Sequence, residues 1–234
     1  MPLKILHVYD HSLPLHSGYV FRSLAILREQ RKLGWDTVHI TTPHHTVGET
    51  AVEEIEGYKF YQTLGAEGPL HRTPVVKDLY EMALTRRVIE DVIRAEQPYI
   101  VQANSPVLNA IPALRAAARH NLPEVYEIRA FWEEAAVTAG STSEGSLRYK
   151  LTRAMESYAV KHADAVTTIC NGLRDDIVDR GVPASKVTLI PNAVDIENFT
   201  ADIPRDDALA QSLGLDGKTV LGFIGSFYAY EGLD

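Results

Sequence analysis

The densest group of chemically capable side chains is Glu127-Ile-Arg-Ala-Phe-Trp-Glu-Glu134. A guanidinium such as Arg129 can clamp a phosphate with two parallel hydrogen bonds, and an indole such as Trp132 offers a flat face to a sugar ring. Glu133 and Glu134 are neighbouring carboxylates, but acid–base work by a pair depends on their separation in space. A surface salt-bridge patch with Trp132 packed inward would leave the same pattern. Charge and aromatic residues coincide here, which favours a ligand role. The second group is Tyr9-Asp-His-Ser-Leu-Pro-Leu-His-Ser-Gly18, a long polar loop running into a helix. Ser17 and Gly18 let the backbone come close to a ligand, and the positive end of a helix favours an anion. The segment lacks G-x-G-x-x-G, which argues against a dinucleotide. His11, His16, His44 and His45 can line a polar acceptor pocket, where neutral imidazoles hydrogen-bond hydroxyls. His7 alternates with apolar residues and reads as a core group. No cysteine partner or H-E-x-x-H motif accompanies these histidines, so no metal site is expected.

Two weaker signals follow later strands. Asn104 can orient a sugar or phosphate through its donor and its acceptor, or serve as a turn residue before a helix capped by Ser105 with Pro106 at its first position. Asn171 reads as the cap of a further helix. Cys170 has no activating histidine nearby and reads as an inert buried thiol.

These loops need elements to position them. Lys4–Val8, Thr37–Thr41, Gly57–Tyr61, Tyr99–Ala103, Glu124–Ile128, Ala165–Ile169 and Val187–Ile190 read as strands. Gly18–Leu33, Pro74–Glu96, Ser146–His162 and Asn171–Arg180 read as helices, the first stopped by Gly34. Strands alternating with helices predict an α/β fold, a Rossmann-like, doubly wound parallel sheet. In such sheets ligands bind beyond the carboxyl ends of the strands. Near the end, Thr219–Ile224 reads as a buried strand, followed by a glycine-bounded loop, Gly225–Gly232.

The chain has 234 residues, a net charge of −8 and a single cysteine. The acidic balance argues against nucleic-acid binding. One cysteine excludes an intramolecular disulfide and suits a reducing compartment. No apolar run approaches the ~20 residues of a membrane span, and no signal peptide precedes the first strand, so the expectation is a cytoplasmic protein. Peripheral contact at the inner face of the membrane stays compatible with that.

Several of these loops together resemble the nucleotide-sugar glycosyltransferases of the GT-B fold, specifically the retaining family 4. The strongest match is Ile190-Pro-Asn-Ala-Val-Asp195, similar to the I-P-N-G-V-D segment that closes the family's N-terminal domain, with Ala193 in place of its glycine. Thr219–Gly232 looks like the strand and loop that open the donor domain. The Arg129-Ala-Phe-Trp-Glu stretch resembles a bacterial subgroup associated with exopolysaccharide and exosortase loci. The resemblance implies an N-terminal, acceptor-side domain over 1–195, a linker over 196–217, and the first strand and loop of a donor domain over 218–234.

Its implied activity is transfer of a hexosyl unit from a nucleoside-diphosphate sugar to a glycan or lipid-linked acceptor. No cofactor is implied, and this stretch alone is expected to be inactive. Ser17 and Gly18 match the family's glycine-rich first loop. Asn104 stands where many members have the second histidine of an H-x-H stretch, and Gln102 where they have the first. Gly225, Ser226 and Glu231 fall on the donor loop, where many members have an arginine and a lysine at the positions of Ser226 and Glu231. Cations at the leaving diphosphate then come from elsewhere, Arg129 being a candidate, or the loop is no donor clamp. The resemblance thus assigns Asn104 and Arg129 to catalysis. Two alternatives are a GT-B sugar-nucleotide 2-epimerase and a Rossmann-like module that binds a ligand without turnover.

Overall fold

The computed structural model describes residues 2–47, 50–65, 74–197, 199 and 203–224. It divides into two compact units, residues 1–191 and 192–234.

In the first unit the chain runs through β1 (Lys4–Tyr9), α1 (Gly18–Lys32), β2 (Asp36–Thr41), β3 (Val52–Ile55), β4 (Tyr58–Gln62), α2 (Pro74–Glu96) and β5 (Ile100–Asn104). It continues through α3 (Val107–Arg119), β6 (Glu124–Ile128), α4 (Trp132–Thr138), α5 (Leu147–His162), β7 (Ala165–Thr168), α6 (Asn171–Asp179) and β8 (Val187–Leu189). The strands form one eight-stranded sheet in the order β3-β4-β2-β1-β5-β6-β7-β8. Only β3–β4 is antiparallel; the other neighbours are parallel. The Rossmann-like α/β fold read from the alternation is therefore the fold observed.

Strand alternation sorts the two faces of the sheet. Leu6 and Val8 of β1, Val38 and Ile40 of β2, and Val101 and Ala103 of β5 pack against α2, α3, α5 and α6 in the main core. On the opposite face Tyr9, Tyr58 and Phe60 pack against Val20, Leu24 and Leu27 of α1. His7 and His39 belong to this second face; their rings stack on each other, and the His7 ring is also stacked parallel to that of Tyr9, with 1° between their planes. His7 is fully buried and hydrogen-bonded through Nε2 to Gln30 of α1 at 2.8 Å, the core position its alternation predicts.

The differences from the sequence reading have local causes. Strand β3 is absent from it because Val-Glu-Glu-Ile carries charge on an exposed edge, where the apolar alternation is faint. Glu56 and Gly57 are the hairpin turn rather than strand, with φ of 51° and 73°. Ser105 does not cap α3: Pro106 holds that position without a side-chain bond, and Ser105 Oγ accepts the Arg129 N–H instead at 3.3 Å. Cys170, not Asn171, is the residue before α6, and its thiol is exposed, because β7 ends two residues earlier and the chain has left the core. Helix α4 is too short for a periodic signal.

In the second unit α7 (Asp207–Ser212) is capped by Asp206, which accepts the Leu209 N–H at 2.9 Å. Thr219–Ile224 is not the buried strand expected: it has no strand assignment, and Leu221 and Ile224 are fully exposed. A strand exists through its ladder, and among the described residues no segment pairs with this one.

Candidate functional site

The parallel register aligns the carboxyl ends of the central strands along one edge: Tyr9 lies beside Thr41, Asn104 beside Glu127, and Ile128 beside Thr168. Strand β1 sends its helix toward β2, while β5 sends its helix toward β6, so the chain direction switches between β1 and β5. That switch point is where open α/β sheets hold ligands.

Asp10, the first residue beyond β1, organises this edge. Its Oδ2 accepts from His11 Nδ1 at 3.0 Å and its Oδ1 from His44 Nδ1 at 2.7 Å. His44 Nε2 in turn lies 3.5 Å from Glu81 of α2. With Nδ1 of His11 donating to Asp10, the other nitrogen of a neutral ring accepts, and Ser17 Oγ stands 3.1 Å from it. Ser17 Oγ also accepts the Val20 N–H at 3.2 Å and caps α1. The Asp10–His11–Ser17 chain has the order of a catalytic triad. Yet the serine oxygen is occupied by the helix end it caps, so the chain fixes hydrogen-bonding groups in place and does not free a nucleophile.

Burial opposes the charge of Asp10, but the hydrogen bonds from His11 and His44 outweigh it and lower its pKa. The bond to Asp10 raises the pKa of His44 against its burial. His44 therefore contributes stability in full below 6.5, its ordinary value, and loses it as pH rises through its folded value. Asp10 contributes above its ordinary 3.8 and loses it as pH falls through its depressed value. His45 is buried, accepts the Ser12 N–H at 3.4 Å and has its pKa lowered by burial. It supports the loop from behind.

His16 does not join the cluster; it is exposed, with its ring 5.8 Å from that of Phe21. Gly18 is exposed too, with open space where a side chain would stand. An open cleft beside His44 is lined by Thr42, Glu81, Met82, Thr85 and Asn109, among others.

A second cluster lies across the switch point. Glu127 Oε1 accepts from Arg129 Nε and from Arg22 Nε, both at 2.9 Å, and its Oε2 accepts from Gln102 at 3.0 Å. Arg129 also donates to Tyr19 O at 2.8 Å, Ser23 Oγ at 3.1 Å and Asn104 Oδ1 at 3.2 Å, with its guanidinium over the Tyr19 ring. Four of its N–H donors are thereby directed to α1, β5 and β6. Asn104 is fully buried and donates to Val8 O at 3.2 Å. The expected catalytic pair thus sits together, as an inward-facing brace. Arg22 reaches further, donating to the carbonyls of Ile190 at 2.8 Å and Pro191 at 3.0 Å.

The remaining sequence candidates separate. Trp132 begins α4 and is 45% exposed. Glu133 is buried, with Arg180 Nη2 at 2.8 Å, whereas Glu134 accepts from the Tyr149 hydroxyl at 2.6 Å. The two adjacent carboxylates face different surroundings. Gly225, Ser226 and Glu231 lie outside the described residues. Arg22 and Glu81 are site residues that sequence reasoning missed, and Asp10 and Glu127 lie in stretches it singled out without giving them a role. Asp10 had a signal, a carboxylate directly after a strand and before a histidine; Glu81 had none, because only the packing of α2 brings it to His44. Among the described residues no group of His, Cys, Asp and Glu is arranged to hold a metal ion.

The profile of the family described as glycosyl transferase 4-like domain matches residues 17–193, well over half of the chain. No curated protein sequence matches. Among solved structures, sucrose-phosphate synthase from Thermosynechococcus elongatus superposes with a TM-score of 0.64 at 16% identity, covering 90% of this chain and 52% of that one. UDP-N-acetylglucosamine 2-epimerase from Rickettsia bellii gives 0.52 at 11% identity, covering 80% and 44%. The calicheamicin glycosyltransferase CalG4 gives 0.50 at 14% identity, covering 87% and 56%. At such identities the likeness is one of fold, and the chain spans about half the length of these structures.

Proposed function

Because the chain belongs to the glycosyl transferase 4-like domain family, we propose that it is the acceptor-side domain of a retaining GT-B glycosyltransferase. The whole enzyme moves a hexosyl unit from a nucleoside-diphosphate sugar to a glycan or lipid-linked acceptor in cell-surface or exopolysaccharide synthesis. The family match carries this reading. The site chemistry supports it: Asp10 fixes His44 as an oriented imidazole at the carboxyl edge beside the open cleft, where it can hydrogen-bond an acceptor hydroxyl, while His11 is held between Asp10 and Ser17. In a front-face reaction the leaving diphosphate deprotonates the acceptor, so the protein needs no nucleophile of its own. The capped, unfreed Ser17 agrees with that. Arg129 shapes the site by holding Asn104 and Tyr19 rather than by meeting phosphate.

The experiment uses the enzyme encoded by the whole reading frame. Nucleoside diphosphate is expected to be released from a sugar nucleotide only when acceptor is present, giving a product with the donor's anomeric configuration. Asp10→Asn and His44→Ala are expected to lower kcat/KM for acceptor by about tenfold or more, the loss of one or two oriented hydrogen bonds. The likeness to UDP-N-acetylglucosamine 2-epimerase supports a second reading. A free epimerised sugar nucleotide formed without acceptor would establish it and sink the transferase. Saturable glycan binding without any turnover would establish a binding module instead.

A further inference from the structure

Helix α5 carries an outward face unlike the rest of this acidic chain. Leu147 is 84% exposed, Leu151 50% and Tyr158 42%. With the exposed Ala154 they fall at i, i+4, i+7 and i+11, one continuous stripe along a helix. The opposite side of the helix holds Glu156, Ala159 and Val160 in the interior. The stripe is thus a second apolar face on a helix whose first already serves the core.

Cations border it. At 100° per residue, Lys150 and Lys161 flank the stripe on one side and Arg148 on the other, all three exposed, while the His162 ring stacks on Tyr158. Lys186 sits at the helix end and donates to Lys161 O at 3.0 Å. Glu156 is the one acidic residue of α5, and it is buried. In a chain of net charge −8 this face is therefore locally basic. An apolar strip flanked by Lys150 and Lys161 on one side and Arg148 on the other matches a lipid–water boundary: leucines enter the acyl region while lysine and arginine stems extend toward lipid phosphates. A second copy of the chain would bring like charges together, and an acidic protein surface would leave the leucines unmatched.

We propose that the outer face of α5 docks the protein on an anionic membrane surface. Among the described residues no helix is long and apolar enough to cross a membrane, so the contact is with one leaflet. The surface shares no residue with the Asp10 cluster, and docking is independent of the reaction assigned to that cluster.

Co-sedimentation of this chain with vesicles tests it. The protein is expected to pellet with vesicles of mixed phosphatidylcholine and phosphatidylglycerol at low salt, to remain in solution with phosphatidylcholine alone, and to dissociate at about 0.5 M NaCl, where charge is screened. Arg148→Ala/Lys150→Ala is expected to weaken partitioning about twenty-fivefold, roughly fivefold per cation. Leu147→Ser/Leu151→Ser weakens it as well. The same loss of charge on α3, Arg115→Ala/Arg119→Ala, leaves it unchanged. Melting curves confirm that each variant is folded. Three outcomes overturn the proposal: no pelleting with anionic vesicles, equal losses in the α5 and α3 variants, or self-association through Leu147 and Leu151 without vesicle binding.

Discussion

Arg129 shows how a side chain's partners decide what it is for. In sequence it stands beside Trp132 and Glu133 and invites a phosphate. In the structure its guanidinium is 10% exposed and bonded to Glu127, Tyr19, Ser23 and Asn104. Arg129→Ala leaves Glu127 paired with Arg22 and Gln102 but removes the donor to the buried Asn104 Oδ1 and to Tyr19 O, and is expected to destabilise the domain by about 1–3 kcal/mol. Trp132→Ala, at a half-exposed first helical position, is expected to change stability by less than about 1 kcal/mol. Urea unfolding of both variants measures the contrast; similar losses would mean that Trp132 is the packed residue its sequence context also allowed. The candidate region itself was legible, because polar residues after strands mark the ligand edge of such sheets. The direction each side chain takes was not. It depends on partners more than a hundred positions away, such as Tyr19 for Arg129.

Elements were more readable than their ends. Helix α2 spans the predicted Pro74–Glu96, and β6 the predicted Glu124–Ile128, because both carry strong apolar patterns. The serines ahead of the helices differ in what they hold. Ser17 accepts from Val20 and Ser146 from Tyr149, each three residues on. Ser105 looked alike but is taken by the end of β6. Ser17→Ala is accordingly expected to cost about 1 kcal/mol by thermal unfolding and to loosen His11, whereas Ser105→Ala leaves the start of α3 intact. Hydrogen exchange at the Val20 amide separates the cases: protection falls in Ser17→Ala alone. Equal protection in both variants would rule out the cap. The edge strand β3 was illegible for the converse reason, since an exposed strand has little to bury.

Across the whole domain, buried ionisable groups set a pH optimum. Burial lowers His7 to about 4 and His39 to about 3, so both fold as neutral rings. Below their ordinary 6.5 the unfolded chain binds more protons than the fold, and stability falls with pH. Burial raises Glu124 and Glu156 to about 8, so both fold protonated. Their contribution is full below the ordinary 4.5 and is lost as pH rises through 8. The two trends meet on the mildly acidic side. The melting temperature is expected to be higher near pH 6 than near pH 8.5, and Glu124→Gln to remove part of the alkaline fall. A melting temperature that climbs from pH 6 to 8.5 contradicts this. None of it is visible in the sequence, where the net charge of −8 says nothing of which carboxyls are buried.

Arg22 joins two features that sequence keeps far apart. It lies on α1 one turn after Ser17, and it grips the carbonyls of Ile190 and Pro191, the last residues of the first compact unit. One helix therefore carries the cap beside the imidazole loop at its start and the anchor for the last residues of that unit on its flank, so a single rigid element sets the position of both.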